Sequence, residues 1–266
     1  MTAVTAPAHV LATRYGRDRI ALAAFWVLAM LLLAAFTAPW IALQNPYDLA
    51  QLDILDAKLE PGTSSSNGLR YWLGTDDQGR DMLSAILYGL RISLGVGIAS
   101  TVLAAGIGLI AGLIAARAGG WMDGLIMRVA DLQLSFPAIL VALILLALTG
   151  QGIDRIVFAL VVVQWAYYAR TVRAAALVEL RKEYVEAAVC MGVGEARILL
   201  RHVLPNVLPP VMVVATVQIA QAIALEATLS FLGLGLPITE PSLGLLIANG
   251  YTHLLSGKYW ISFFPG

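Results

Sequence analysis

The chain has 266 residues, of which 59% are apolar and 13% charged, and its mean hydropathy is +0.81. Soluble domains lie near about 45–50% apolar and about 25% charged, so the composition excludes an ordinary soluble domain and points to an integral membrane protein. The formal net charge is zero, which implies no nucleic-acid partner, and the single cysteine, Cys190, excludes an internal disulfide.

Residues 1–19 read as a short polar arm on the cytoplasmic side. Ile20 to Tyr47 carries no charge, and a helix needs about 20 apolar residues to cross a hydrocarbon core of about 30 Å. The first transmembrane helix is therefore predicted over 20–43. Its apolar run is too long, and lacks the small-x-small site, of a cleaved signal peptide, so it is expected to remain as an anchor. Residues 44–91 form the longest hydrophilic segment, placed outside the cytoplasm. Within it "PGTSSSNG" (61–68) is expected to be flexible. "GTDDQGRDMLSAILYGLRISL" (74–94) reads as a helical approach to the next span, with Met82, Leu83, Ile86, Leu87 and Leu90 near helical spacing. Asp76 suits the N-cap of that helix.

The second span is predicted over the uncharged run Ile92 to Ala116. It contains Gly108 and Gly112, a GxxxG pair for which tight packing inside the bundle is preferred over dimerisation. A third span is predicted over Leu132 to Ile153 and a fifth over Val203 to Leu225. Between them Ile156 to Ala169 is only 14 residues long. It is read as a fourth span that runs on past the lipid, with Arg170 and Arg173 snorkelling to the surface. "YWISFFPG" (259–266) begins a sixth span and breaks off. The expected fold is an all-α, polytopic transmembrane bundle of five spans plus an incomplete sixth, with residues 92–266 as its core domain.

Lysine and arginine set the orientation. With the N-terminus inside, eleven of the seventeen fall on the cytoplasmic side and six outside. This places the loop 183–205, "EYVEAAVCMGVGEARILLRHVLP", in the cytoplasm. Glu183 to Met191 has good helix formers, Gly192 and Gly194 interrupt them, and Glu195 to His202 suits another turn or two. Pro205, Pro209 and Pro210 fall in the first turns of the fifth span, where a missing N–H costs least. The pattern is a short helix, a glycine bend and re-entry into the membrane. Tyr184, Val185, Ala187 and Ala188 offer a small surface suited to a groove of a partner protein. Glu183 and Glu186 on one side, with Arg197 and Arg201 on the other, suit setting its register. From the residues alone, a merely solvated loop remains the competing reading.

Glu226 interrupts an apolar stretch. A charge at membrane depth is costly, so it faces either a pathway or an internal hydrogen-bond partner. Both readings stand, and Gln218 and Gln221 are pathway candidates beside it. Asp131 is expected to pair with Arg128, three residues before it. His9, His202 and His253 are far apart in sequence, and there is no catalytic set. Without a GxxxxGK[ST] motif the chain is not expected to bind ATP by a P-loop. No Cys/His cluster suggests a metal, and Cys190 reads as a small packing residue.

"EAAVCMG", then the nine residues Val193 to Arg201, then "HVLP", resembles the EAA loop in the membrane subunits of bacterial ABC importers. "RHVLPN", "LGTDDQGRDMLSAILYGLRISL" (73–94), "DLQLSFPAIL" (131–140) and "EATLSFLGLG" (226–235) are similar to the dipeptide/oligopeptide branch. The chain therefore resembles the C-type permease subunit of such a transporter, a multi-pass protein of the bacterial inner membrane with the type I importer fold. The resemblance implies a heteromeric complex. A homologous second permease subunit completes the pathway, and two ATPase subunits bind ATP and magnesium, leaving no cofactor and no catalysis in this chain. An extracytoplasmic substrate-binding protein delivers peptide. The EAA loop would be the coupling helix, with Glu183, Tyr184, Glu186, Ala187, Ala188, Gly192, Arg197 and Pro205 as its ATPase-docking set. Family members continue after "FPG" with a sixth span, which leaves the topology of this C-terminal end open. Alternatives are the same architecture importing nickel, haem or another small solute and, from another class, an ion-gradient-driven transporter, whose expected mid-membrane ionisable residues are here reduced to Glu226.

Overall fold

A computed structural model describes residues 18–48, 51–65, 68–237 and 239–266. The polar arm expected over 1–17, with His9, Arg14 and Arg17, lies outside them. The described residues are mostly helical, and the only β pairing among them is two isolated bridges, Ser64 with Arg70 and Thr75 with Asp81.

Helix α1, Arg19–Ile41, starts where Asp18 caps it by accepting from the Ile20 and Ala21 N–H groups at 3.0 and 3.3 Å. Only Ala35 and Ala38 of α1 are buried, so most of its apolar surface faces outward. α2, Met82–Ala118, is 37 residues long, about 55 Å at 1.5 Å per residue. α3 (Gly120–Ser135) and α4 (Ala138–Thr149) meet at a bend of 91°. α5 spans Ile153–Glu179 and α6 Glu183–Cys190. α7 runs Glu195–Phe231, with a π turn over Ile198–Val203. α8 (Leu243–Tyr251) and the single turn α9 (Trp260–Phe263) follow.

The expected span over Leu132 to Ile153 is broken near its start by the bend between α3 and α4. Pro137 cannot donate a helix bond, and the residue before a proline is pushed to extended backbone. Phe136 is extended, at φ −95° and ψ 142°. By length and composition three helices among the described residues suit a membrane crossing, α1, α2 and α7, and the bent pair makes a fourth if taken as one span. α5 falls short because Asp154, Arg155, Arg170, Arg173 and Glu179 lie along it. Arg170 and Arg173, expected to snorkel to the surface, each meet a carboxylate. Arg170 pairs with Asp131 at 3.7 Å, and Arg173 chelates Asp123 through Nε and Nη2. Asp131 thus takes a partner from another helix and not Arg128. These two pairs fasten α3 to α5.

α2 and α5 form the most extensive helix pair, and α7 packs on both. Gly108 and Gly112 allow the approach. A Cβ on Gly108 would lie 2.4 Å from Tyr168 Cβ, and one on Gly112 would lie 2.6 Å from the Ala169 carbonyl. The GxxxG pair therefore packs inside the bundle. One apolar cluster unites α2, α5, α6 and α7 through Leu113, Val172, Val185, Ala188, Ile198 and Val203. A second joins α2, α4, α5 and α7 through Val96, Leu146, Leu160 and Leu229.

The segment 44–81 differs from expectation. Its helix begins at Met82, and Asp81, not Asp76, is the cap, accepting from Ser84 N–H at 2.8 Å. Asp76 instead closes the preceding turn by accepting from the Gln78 and Arg80 N–H groups, each at 2.9 Å, and from Arg80 Nε at 2.6 Å. The described part of 61–68 is pinned: Gly62 N–H donates to the Tyr71 carbonyl at 2.7 Å, and Ser65 N–H donates to the Leu69 carbonyl at 2.7 Å. Residues 66–67 lie outside the description. At the other end of the sequence, Trp260 and Ile261 pack on Met82, and Trp260 Nε1 donates to the Thr75 carbonyl at 3.3 Å.

Candidate functional site

Helix α6 is short, and its burial pattern follows its period. Val185 and Ala188, three residues apart, face the bundle and join the apolar cluster of α2, α5 and α7. Ala188 is thus 3% exposed and does not belong to the outward face expected to dock. Glu183, Tyr184, Glu186, Ala187, Gly192, Arg197 and Pro205 are exposed. Val189 and Met191 add apolar surface at 60% and 74% exposure. Cys190 is exposed too, against the expectation of a packing residue. Among the described residues Glu183, Glu186, Arg197 and Arg201 form no ion pair with the rest of the chain.

Gly192 ends α6 for a backbone reason. Its φ is +73°, and it carries a Schellman motif: Val193 N–H donates to the Ala188 carbonyl at 3.1 Å and Gly192 N–H to the Val189 carbonyl at 2.9 Å. A side chain there meets open space, so its cost is conformational and not steric.

A clamp fixes α6 to the two long helices that flank it. Tyr184 Oη donates to Glu179 Oε2 at 2.6 Å, at the end of α5. Asn206 Nδ2, in α7 just beyond its π turn, donates to Tyr184 Oη at 3.2 Å and to the His202 carbonyl at 2.7 Å. Lys182 Nζ donates to the other Glu179 oxygen at 2.5 Å. Burial raises the Glu179 carboxyl, but the hydrogen bonds from Lys182 and Tyr184 outweigh it and hold the group below its usual range. Burial, then the bond to Glu179, pushes the Tyr184 phenol up to about 12. Arg117 at the end of α2 pairs with Glu195 at the start of α7. Sequence reasoning singled out Tyr184 but missed Glu179 and Asn206. The available signal was a lone carboxylate at the end of α5, one turn before the loop, and an asparagine directly after Pro205.

A cavity of about 470 Å³ opens between α4, α5 and α7. Gln164, Tyr167, Gln218, Gln221 and Thr228 give it a neutral polar lining, with Ala138 and Leu225 among its apolar walls. Gln164 is held from both sides: Thr101 Oγ1 donates to its Oε1 at 3.4 Å, and its Nε2 donates to the Gln218 carbonyl at 3.3 Å. The structure brings Gln218 and Gln221 together here, adds the unforeseen Gln164, and leaves Glu226 out. Glu226 is fully buried and accepts from Ser93 Oγ and Ser230 Oγ, each at 2.8 Å, joining α2 to α7. Of its two sequence readings, these contacts match the internal hydrogen bond.

The family model described as binding-protein-dependent transport system inner membrane component matches residues 108–265. A model for the N-terminal transmembrane domain of oligopeptide transport permease C matches residues 10–61. A Brucella abortus protein named for a peptide transport system permease is 38% identical over 263 residues, covering 98% of this chain and 84% of the relative. The di/tripeptide transport system permease protein DppC of Pseudomonas aeruginosa is 34% identical over 253 residues, covering 95% of this chain and 82% of its own. A chain of the MetNI methionine ABC transporter, solved in inward-facing conformations, superposes with a TM-score of 0.54 at 21% identity, covering 69% of this chain and 94% of that one. Its likeness supports the all-α permease architecture. This chain belongs to the family of binding-protein-dependent transport system inner membrane components.

Proposed function

We propose that the chain is the membrane permease subunit of an ATP-driven importer of di- or oligopeptides, forming half of the translocation pathway and coupling to ATPase subunits through α6. The observation that carries the coupling role is a short helix with exposed acidic and apolar side chains that is clamped to both α5 and α7. A load on α6 is thereby handed to two long helices. The coupling face is Glu183, Tyr184, Glu186, Ala187, Val189 and Met191, with Arg197 and Pro205 beyond the bend. Ala188 and Gly192 serve it from behind, as packing and as a stop.

A homologous second permease subunit faces the cavity lined by Gln164, Gln218 and Gln221, and an extracytoplasmic binding protein supplies peptide. ATP and magnesium belong to the ATPase subunits, and this chain contributes no catalytic group. The bias of lysine and arginine puts α6 and the N-terminus on the cytoplasmic side of the bacterial inner membrane. The neutral amide lining suits peptide, whose backbone offers the same donors and acceptors whatever its side chains. The peptide names of the relatives favour this cargo over nickel or haem.

The test is reconstitution of the full complex in lipid vesicles with Glu186→Arg or Gly192→Asp. Both variants are expected to insert, while ATPase stimulation by loaded binding protein and peptide uptake fall at least tenfold. Normal assembly and uptake in both would defeat the coupling reading.

A further inference from the structure

Helix α2 carries a stripe of exposed positions along most of its length. The stripe runs from Arg91 through Gly95, Ile98, Val102, Ile110 and Ile114 to Arg117, and no charge interrupts it. The two arginines are 26 residues apart, about 39 Å at 1.5 Å per residue. A bilayer measures about 30 Å across its hydrocarbon core and about 40–45 Å with its headgroups, so each arginine reaches a headgroup layer. The two differ in one respect. Arg117 pairs with Glu195, whereas Arg91 forms no ion pair among the described residues.

At Arg91 a cavity of about 260 Å³ opens where the 44–81 segment, α2 and the start of α5 meet. Tyr47, Tyr88, Arg91, Gly95, Val96 and Ile153 are among its lining residues. Tyr47 and Tyr88 stand edge to face, with ring centroids 5.3 Å apart. Burial pushes the Tyr47 phenol up to about 12, Glu240 adds to the rise and Arg91 opposes it, so the guanidinium is within electrostatic reach of this ring. Val96 is buried, and a Cβ on Gly95 would meet nothing within 4 Å. One turn further into the membrane than Arg91, the cavity is therefore apolar and has room.

We propose that this cavity holds a membrane phospholipid, with its phosphate diester on the Arg91 guanidinium and the upper part of one acyl chain against Gly95, Val96 and Ile153. A guanidinium without a carboxylate at headgroup depth offers forked donors to phosphate oxygens. Tyr47 and Tyr88 belong to the residue type that settles in this layer, apolar ring inward and hydroxyl toward the headgroups. A free phosphate would leave the apolar part of the cavity empty, so the occupant is a lipid and not an anion from solution. Glu240 disfavours a second negative charge there, which suits a headgroup with a single phosphate. Such a lipid ties the 44–81 segment to α2 and α5 from the membrane side, whatever cargo the permease carries.

The test is native mass spectrometry of the assembled permease–ATPase complex, stripped of lipid in detergent and titrated with dioleoylphosphatidylethanolamine, dioleoylglycerol and glycerophosphoethanolamine. The first phospholipid is expected to bind at least tenfold more tightly than either of the other two, which lack the phosphate or the chains. Arg91→Gln and Gly95→Phe should each weaken it about tenfold, the first by removing the charge and the second by filling the apolar part. Arg91 is exposed and a side chain at Gly95 meets open space, so both variants should still assemble with the ATPase subunits. Equal affinity for dioleoylglycerol would overturn the site by showing only a greasy surface. Equal affinity for glycerophosphoethanolamine would overturn it by showing a phosphate site that takes no lipid. An unchanged first adduct in either variant would overturn it as well, and would leave this face of α2 to another occupant, such as a second permease subunit.

Discussion

The two polar ends of this bundle are built in opposite ways. The 44–81 segment buries four of its charged residues, Asp56, Asp76, Arg80 and Asp81. Asp56 accepts from Tyr71 Oη at 3.0 Å, Gln44 Oε1 accepts from Asp81 N–H at 2.9 Å, and Asp76 and Arg80 pair with each other at 1% exposure. The α6 end turns its charges outward and is held by a few side-chain bonds to neighbouring helix ends. A buried ion pair costs desolvation and stabilises only while both partners remain, whereas exposed charges contribute little to stability and stay free for another protein. One end is therefore tied to itself by buried groups, and the other leaves its charges exposed.

Breaking each end should separate them by size of effect. Asp76→Ala leaves the buried Arg80 guanidinium without that carboxylate, and about 3–5 kcal/mol of stability should be lost, read as a lower unfolding midpoint of the purified complex. A change under about 1 kcal/mol would mean that this end is not held by its buried charges. Tyr184→Phe deletes one hydroxyl that joins three elements, so the global loss should be only about 1 kcal/mol. Amide exchange over 183–190 should nevertheless quicken, and ATP hydrolysis should proceed with less uptake per turnover. Unchanged exchange there would remove the clamp from the account of coupling.

The smallest effect is one of pH. Glu179 titrates below its ordinary value of 4.5 in the folded chain. Its contribution is therefore complete above that ordinary value and is lost as pH falls through the lowered one. Protease sensitivity of the α6 loop should rise only as pH falls below the ordinary value of 4.5 and become nearly independent of pH in Glu179→Gln. A loop cut equally at neutral and acid pH in the unaltered chain would show that Glu179 does not hold it.

Much of the site was legible in the residues. The glycine stop at Gly192, the prolines of α7 and the motif around Glu186 are local, and local backbone preference carries them. The side of α6 that faces out was misread at Ala188 and Cys190, because a single short helix does not say which of its stripes finds a neighbour. Glu179 and Asn206 stayed invisible for the same reason, since each acts on Tyr184 from another element. The expected pair of Asp131 with Arg128 failed because a tertiary partner, Arg170, reached it from α5.

By itself the sequence determined that this chain belongs in a membrane, that it is helical, that its α6 segment is a short helix closed by glycine, and which family it resembles. Those properties follow from hydrophobic runs and backbone propensity, which act over a few turns. Only the tertiary structure decided that the third apolar run bends by 91° at Phe136–Pro137, that Asp76 is buried with Arg80, that Glu226 is tied to two serines, and that Gln164 joins Gln218 and Gln221 on one cavity. The Asp76–Arg80 pair is local, but its burial, like the other contacts and the direction taken after the bend, depends on segments distant in sequence, and helical periodicity carries no record of them.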